Sequence, residues 1–452
     1  MSEAVVLKAA EPDGAPRIAV LDILRGIAIL GILFMNINDM GGSLWVMLGD
    51  PRHLGWSGAD RVFWAIRNVV ADGTARCMLE MLFGAGMVIL TDRAATAASP
   101  RWSVMRRYYW RNIVLFGFGI VHLLILLWPG DILHTYAIAA LIAFWFRRWR
   151  PRWLITVGLI MAMSQLLGAG YFGYWQAVQT RAQVATIEAK QSAGQAITRD
   201  ERATLAKAAK AKAERAKSKA ENIQRIRAED KARTGSFMTW AAFQWSVTWY
   251  LESHGLEILF VWEALSTMLI GAALFRMGIL QGARSHRYYA LYTLGFYAVA
   301  FLMRVSSTIE DMRFDDAPQI GWATHEVARI AMTLGHVGAV NWLAGTAIGM
   351  RLLRPFVAAG RTALSIYICQ TLITLWVLYP PFGLALYGTQ GWASLMVTAL
   401  VINALLLWGA NIYLRHFDIA PVEWAWRSLV ERRRLPWRRR APAAVMGGLS
   451  AA

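Results

Sequence analysis

Residues 21–42 read LDILRGIAILGILFMNINDMGG, an apolar segment of membrane-spanning length with polar residues near both ends. Asp22 and Arg25 lie at its start and Asn36 lies near its end. The chain then passes through a glycine-containing loop, HLGWSGAD, at residues 53–60. Ionisable groups cost about 2.5 to 3.5 kcal/mol each at the centre of a bilayer. Their presence at the ends of an apolar helix therefore predicts a polar site there.

The composition of the 452-residue chain is that of a membrane protein. Hydrophobic residues make up 57% of it, and 22 residues are tryptophan, whereas soluble domains are about 45 to 50% apolar. Because lipid offers no partners to backbone polar groups, the sequence predicts an all-α, polytopic helix bundle. The net charge is +18, but arginines sit in short loops that alternate with arginine-poor loops between the apolar segments, which argues against a nucleic-acid partner.

Ten apolar segments have about the length needed for a hydrocarbon core of about 30 Å. Their approximate ranges are 18–38, 74–91, 108–128, 131–147, 152–174, 255–279, 287–305, 326–350, 360–379 and 391–414.

Arginines are concentrated in every second loop between these segments. They include Arg106, Arg107, Arg147, Arg148, Arg276, Arg284, Arg351, Arg354 and Arg361. The intervening loops hold almost none, and the loop near 306–325 is acidic. By the positive-inside rule, we expect a multi-pass inner-membrane protein with both termini in the cytoplasm and the His53 loop on the opposite side.

The sequence divides into four regions: an N-terminal bundle with the His53 loop (1–175), a charged extracytoplasmic helical hairpin (176–235), a C-terminal bundle (236–420) and a basic cytoplasmic tail (421–452). In the hairpin, Thr198 and Glu201 have capping-box spacing and predict the start of a long helix.

Two interpretations of the hairpin remain open: a solvated spacer or packing element, or a segment that binds anionic lipid headgroups. In the tail, the segment from Pro421 to Arg440 predicts an amphipathic helix on the cytoplasmic membrane surface.

Five motifs resemble those of one family along almost the whole chain. They are LDILRGIAILGILFMN (21–36), MLFGAG (81–86), GDILHTYAIAAL (130–141), GRTALSIYICQTLI (360–373) and PVEWAWRSL (421–429). In this order they resemble the YeiB-type membrane proteins, from which the long charged hairpin is a departure.

YeiB-type proteins are in turn similar to the transmembrane acyltransferase superfamily, which includes heparan-α-glucosaminide N-acetyltransferase. That similarity is confined to the first helix and the following loop, and it rests on Asp22, Arg25, Gly26, Asn36, His53, Trp56, Gly58, Ala59 and Asp60. This sequence departs from the acyltransferase motif in one respect: the loop between the positions matched by Gly58 and Ala59 is shorter than in that enzyme. The resemblance implies that His53 and Asn36 lie beside an acetyl-CoA thioester that enters from the cytoplasmic side.

Acyl transfer needs a base near neutral pH and a donor to the developing oxyanion. Histidine suits the first role because its unperturbed pKa is about 6.5. We therefore interpret His53 as the base that takes the acceptor proton, Asp60 as the group that orients its ring, and Asn36 as the amide that polarises the thioester carbonyl. The alternative is that His53 is an exposed loop residue.

Two further pairs have helical spacing. Asp22 and Arg25 form either a structural ion pair or a binding site for the anionic donor. Arg76 and Glu80, four residues apart in the second segment, are expected to face inward as a pair and to contact the acceptor.

His122, Asp131 and His134 form a second polar group, which is expected to contact the acceptor or to have a structural role. Histidines and carboxylates near one surface are potential metal ligands, but no H-x-x-x-H or H-E-x-x-H spacing is present. The sequence therefore predicts no metal.

The ninth segment carries Arg361, Tyr367 and Gln370. Arg361 is a candidate ligand for CoA phosphates and Gln370 for a pantetheine amide, with Tyr367 as a further donor-site residue. The alternative for Gln370 is hydrogen bonding between helices.

These patterns favour an acyltransferase that uses acetyl-CoA or another acyl-CoA and a polar passage through the bundle. The acceptor is a glycan, lipid or small molecule, and the acyltransferase resemblance implies a homodimer. The main alternative is a transporter or flippase that uses buried charged pairs as gates. A non-catalytic scaffold with the hairpin as a partner-binding arm is the third possibility.

Overall fold

The computed structural model describes residues 18–48, 50–96, 100–315 and 317–438, which form an all-α fold. The predicted tail beyond residue 438 lies outside the described residues. The α-helices, numbered in chain order, are α1 (Ala19–Gly41), α2 (Gly58–Ile66), α3 (Thr74–Thr96), α4 (Arg101–Leu124), α5 (Leu133–Ala143), α6 (Pro151–Gln165), α7 (Phe172–Ser192), α8 (Arg199–Arg233), α9 (Phe237–Ser253), α10 (Leu256–Arg276), α11 (His286–Asp311), α12 (Gly321–Ala344), α13 (Ala347–Arg361), α14 (Ala363–Thr371), α15 (Trp392–His416) and α16 (Pro421–Glu431).

The predicted helical membrane fold is confirmed, but the count of ten spans is not. Among the described residues, six helical segments are long and apolar enough to cross a membrane: Ala19–Gly41, Gly58–Asp92, Pro151–Ser192, Leu256–Arg276, His286–Asp311 and Trp392–His416. A seventh candidate combines α13 with Ala363–Leu378, which meet at a bend of 75°. The predicted fourth span corresponds to the shorter apolar helix Leu133–Phe146.

Large apolar side chains are exposed on the outer faces of several of these helices. Ile160, Leu302, Leu405 and Trp408 are all more than 60% exposed. Soluble proteins rarely expose continuous apolar surface of this kind, whereas lipid tails accept it. The exposed residues therefore mark the lipid-facing surface of a membrane protein.

Two glycines, Gly26 and Gly360, lie where α1 crosses α13. A Cβ built on Gly26 would lie 2.1 Å from the Phe356 carbonyl oxygen, and one built on Gly360 would lie 1.8 Å from the Asp22 carbonyl oxygen. Only glycine permits backbones to approach this closely. The D-x-x-R-G and G-R-T segments of the sequence therefore meet in the fold.

A similar crossing joins α3 to α10. A Cβ on Gly84 would lie 1.9 Å from the Met268 carbonyl oxygen, and one on Gly271 would lie 2.1 Å from the Met81 carbonyl oxygen. By contrast, a Cβ on Gly86, in the same MLFGAG motif, would meet no atom within 4 Å.

This contrast gives a matched pair of variants. We expect Gly84→Ala to destabilise the protein by about 1 to 3 kcal/mol, because the added methyl group separates two packed helices. Gly86→Ala is expected to be neutral or stabilising by up to about 1 kcal/mol, through helix propensity alone. Thermal unfolding in detergent measures both, and equal melting temperatures would show that the crossing tolerates a side chain.

Two predicted boundaries were wrong. The predicted span 326–350 is interrupted, because α12 ends at Ala344 and the Thr346 hydroxyl caps a new helix by accepting from Gly349 N at 3.0 Å. The predicted interfacial helix ends at Glu431 instead of Arg440. Beyond it the chain folds back, since Trp424 Nε1 donates to the Leu435 carbonyl at 2.8 Å.

The predicted hairpin corresponds to α7 and α8, but α7 begins at Phe172 and continues directly from the helix before it, so residue 175 is not a structural boundary. The capping box is formed as predicted: Thr198 Oγ1 accepts from Glu201 N, and the Glu201 carboxylate accepts from Thr198 N. The resulting helix α8 has 35 residues.

Candidate functional site

The C-terminal end of α8 is buried against the end of α1. Arg233, 1% exposed, donates through Nη1 to the carbonyls of Asp39 at 2.9 Å and Gly42 at 2.7 Å, and through Nη2 to the carbonyl of Met40. Glu229 accepts from Ser43 Oγ at 2.5 Å and also pairs with Arg233. The guanidinium thus satisfies carbonyls that the end of a helix leaves without partners. The hairpin is therefore more than a solvated spacer.

This docking places a carboxylate beside His53. His53 lies in the 3₁₀ turn Pro51–Leu54, its side chain is 40% exposed, and its Nε2 is 3.4 Å from Asp230 Oδ2. The other oxygen of Asp230 accepts from the Tyr387 hydroxyl at 2.8 Å. Burial raises the pKa of Tyr387 well above its usual range, so the phenol remains a donor. The result is an exposed imidazole paired with a positioned carboxylate.

The prediction that Asp60 orients His53 was wrong. Asp60 is 8% exposed, and its carboxylate accepts from Ser57 N and Ala393 N, both at 2.9 Å. It closes the capping box of α2 and joins this helix to the start of α15. Its oxygens are therefore used by backbone groups, while Asp230 takes the place beside His53. Asn36 is partly buried in α1.

Three of the predicted donor-site residues lie near the crossing of α1 and α13. Arg25 Nη1 is 2.7 Å from Asp22 Oδ1, which forms the structural ion pair that the spacing allowed. Arg361, next to Gly360 at the crossing, donates to the Asp418 carbonyl at 3.1 Å. The Arg25 side chain is 37% exposed, so it is accessible to an anion from this end of the bundle.

The other two predicted donor-site residues are engaged inside the bundle. The Tyr367 hydroxyl accepts from Ile132 N at 3.3 Å, and its ring packs 4.7 Å from that of His122. Gln370 Nε2 donates to the Ile29 carbonyl at 3.2 Å and to Asn403 Oδ1 at 3.1 Å. The contacts of Gln370 support the alternative in which it forms hydrogen bonds between helices. Among the described residues, no contact of Tyr367 or Gln370 involves Arg25.

Arg76 and Glu80 belong to a larger buried cluster, the arginine–glutamate network of Arg76, Glu80, Glu263, Glu326 and Arg329. Their direct contact is 3.8 Å, but Arg76 Nη2 donates to both oxygens of Glu263, at 2.7 and 3.0 Å. Arg329 Nη1 is 2.9 Å from Glu263 Oε1, and its Nε and Nη2 bind Glu326 at 2.9 and 2.7 Å. Glu263 on α10 therefore links α3 to α12.

The predicted group of His122, Asp131 and His134 is also brought together. Asp131 lies between the two rings, with its oxygens 2.7 Å from His122 Nδ1 and 2.7 Å from His134 Nδ1. His122 Nε2 is 2.8 Å from Thr371 Oγ1, a contact that joins α4 to α14. The chain of groups is buried, with His122 fully inaccessible and His134 5% exposed.

Two carboxylates extend this chain, one from the end of α9 and one from the start of α10. His134 Nε2 lies 3.4 Å from Glu252 Oε1 and 3.3 Å from Glu257 Oε2. Burial, together with the neighbouring charge of Glu257, raises the pKa of Glu252 above its usual value. Gly255, with φ of 71°, permits the left-handed turn that directs both carboxylates to His134.

Two open grooves, of about 600 and 360 Å³, lie along α6, α7 and α10. The first is lined by residues such as Tyr171 and Trp175, and the second by Gln165 and Trp262. Neither is lined by His53, Asn36 or Arg25. The polar passage from the arginine-bearing loops to His53 therefore stays a prediction.

Sequence reasoning missed Glu423 in the PVEW motif. Glu423 is 6% exposed, and its carboxylate accepts from Leu364 N at 2.6 Å, Ser365 N at 3.1 Å and Ser365 Oγ at 2.5 Å. It thereby caps the N-terminus of α14. This contact joins the motifs at 360–373 and 421–429, since each supplies one of its partners.

The fold and these buried charges define a polytopic, all-α membrane protein. The family described as "Protein of unknown function (DUF418)" matches residues 274–433. The chain is 25% identical over 436 residues to the "Uncharacterized protein YxaH" of Bacillus subtilis (strain 168), covering 91% of this chain and 94% of that relative. It is 27% identical over 431 residues to the "Uncharacterized protein YeiB" of Escherichia coli (strain K12), covering 91% and 96%.

The chain is similar to YeiB and YxaH over 91% of its length, which agrees with the resemblance that its motifs predicted. No solved structure matches it. The more distant similarity to the acyltransferase superfamily stays a prediction.

Proposed function

We propose that the protein transfers an acyl group from a cytoplasmic acyl-CoA to a hydroxyl or amine acceptor at the outer side of the inner membrane. The observation that carries the proposal is the pair formed by His53 and Asp230 at the end of α1, with the imidazole 40% exposed and 3.4 Å from the carboxylate. The acyltransferase-like motif around Asp22, Arg25 and Asn36 supports it. The arginine-rich loops support a cytoplasmic location for both termini.

In this reaction, the Asp230 carboxylate faces Nε2 of His53, and the other ring nitrogen accepts the proton of the acceptor hydroxyl or amine. The acceptor oxygen or nitrogen then forms a bond to the thioester carbonyl carbon, while the bond from that carbon to sulfur breaks. The CoA thiolate leaves and is protonated to the free thiol. Arg25 binds an anionic group of the donor, since a guanidinium forms paired hydrogen bonds with phosphate.

The test is acyl-CoA turnover by the purified full-length chain in lipid nanodiscs, followed as release of free thiol with a panel of glycan, lipid and amine acceptors. We expect His53→Ala to lower kcat at least about 100-fold, because general-base catalysis contributes about 100- to 10,000-fold. Asp230→Asn is expected to lower kcat with an unchanged KM for the donor. Asp50→Asn, which alters an exposed carboxylate in the same loop, is the matched control.

Turnover by His53→Ala at the wild-type rate, with the fold intact, would remove His53 from the mechanism. Absence of both acyl-CoA binding and turnover across the acceptor panel would reject the acyltransferase.

The arginine–glutamate network favours a second candidate, a transporter or flippase. Arg329 is 1% exposed and contacts carboxylates from three helices, α3, α10 and α12. Buried charged pairs between helices are typical of proton and substrate pathways. Substrate movement across proteoliposome membranes, without acyl-CoA turnover, would favour this candidate over the enzyme.

A further inference from the structure

At the end of the buried chain formed by His122, Asp131 and His134, three groups converge that can accept hydrogen bonds. They are His134 Nε2 and the carboxylates of Glu252 and Glu257. An ionised Asp131 can only accept, so the 2.7 Å contact places the hydrogen of His134 on Nδ1. The lone pair of His134 Nε2 then faces the oxygens of Glu252 and Glu257 at 3.4 and 3.3 Å. With a neutral imidazole, these three groups repel one another unless a cation, either a proton on Nε2 or a metal ion, lies between them.

A second, independent observation concerns the burial of His134 Nε2. His134 is 5% exposed, and its Nε2 makes no hydrogen bond, although two carboxylates lie nearby. A buried polar atom without a hydrogen-bond partner is uncommon in proteins. Its position at the centre of the cluster makes it available to a group that the polypeptide does not supply.

We propose that His134 Nε2, Glu252 and Glu257 bind one divalent transition-metal ion such as Zn²⁺. The ligand atoms all lie within 4.8 Å of one another. Metal–ligand bonds of about 2.1 Å in a tetrahedron place adjacent ligand atoms about 3.4 Å apart, which matches both distances from His134 Nε2. One imidazole and two carboxylates are ligands that zinc and similar ions accept.

The surroundings have the features of a metal site. Asp131 holds His134 through Nδ1, the arrangement in which a carboxylate orients a metal-binding histidine. The Glu252 side chain is 38% exposed and that of Glu257 is 17% exposed, so an ion has a route to the cluster. Three protein ligands leave a fourth position for water. The sequence did not predict this site because its ligands come from two separate segments.

The test is zinc binding by the purified full-length chain in detergent, with the affinity tag removed and metal first extracted by a chelator. Zinc content by mass spectrometry and competition with a chromophoric chelator give stoichiometry and affinity, and thermal unfolding gives a second readout. We expect one Zn²⁺ per chain and at least about tenfold weaker binding in Glu252→Gln and in Glu257→Gln. Zinc is expected to raise the melting temperature less in these two variants than in the wild type.

His254→Gln is the matched control, because His254 is exposed, lies between the two glutamates in sequence and contacts the Tyr250 carbonyl rather than the cluster. Wild-type affinity in this variant is expected. The proposal would be overturned if the wild type bound no zinc, if Glu252→Gln kept wild-type affinity, or if His254→Gln lost binding as the glutamine variants do. Glu252 is exposed, so its variant remains informative even if Glu257→Gln does not fold. None of these outcomes depends on acyl transfer.

Discussion

Replacement of Arg329 by methionine is expected to cost about 3 to 5 kcal/mol of folding free energy. Arg329 lies in the interior at 1% exposure and is the only cation of the arginine–glutamate network that contacts Glu326 in the described residues. Methionine fills a similar volume but leaves the Glu326 carboxylate buried without its guanidinium partner and leaves Glu80 with Arg76 alone. Breaking one side of a buried ion pair is costly because the remaining charge stays desolvated.

The measurement is thermal unfolding in detergent with a thiol-reactive dye, which reports exposure of the buried Cys77. Arg354→Met, at an exposed position, is the control and is expected to change stability by no more than about 0.5 kcal/mol. The double variant Arg329→Met with Glu326→Gln is expected to regain part of the loss, since one unpaired charge is removed. If Arg329→Met unfolds at the same temperature as Arg354→Met, the network does not stabilise the bundle.

The second large effect is expected at the base of the charged hairpin. Arg233→Ala removes the donor to three carbonyls at the end of α1, those of Asp39, Met40 and Gly42. It also leaves Glu229, which is fully buried, without its cation. We expect a loss of about 3 kcal/mol, as for other broken buried pairs, and local release of the last turns of α8.

Hydrogen exchange across α8 and limited trypsin digestion measure this release. Arg227→Ala, six residues earlier at an exposed position of the same helix, is the control and should retain wild-type protection. Release of α8 would also separate Asp230 from His53, so the variant is expected to lower any acyl-CoA turnover. Protection of the hairpin in Arg233→Ala equal to that in Arg227→Ala would show that the docking contributes little.

Local features of the site were predictable from sequence because they depend on helical spacing. Asp22 and Arg25, three residues apart, form the expected ion pair, and Thr198 and Glu201 form the expected capping box. The grouping of Asp131 with His134 followed from the same spacing. In each case, the interacting groups lie within one turn, so the backbone geometry of a helix brings them together whatever the rest of the chain does.

Long-range partners were not predictable in the same way. Asp230 reaches His53 from a segment that reads as a solvated charged helix, and Asp60, which the sequence placed beside His53, binds the backbone of Ala393 instead. Glu263 joins Arg76 to Arg329 although no spacing rule connects the three. The sequence did contain one signal of this docking. Glu229 and Arg233, near the end of α8, are four residues apart and therefore lie on the same face of the helix.

By itself, the sequence determined that this protein is an all-helical membrane protein and indicated its resemblance to YeiB-type proteins, because apolar segment length, arginine placement and local motifs act over one helix at a time. The tertiary structure alone decided which helix faces meet. It brought together carboxylates, guanidinium groups and imidazoles from segments far apart in the chain. The physical reason is that a charge buried in a bilayer needs a partner on a neighbouring helix, and the packing of the whole bundle chooses that partner.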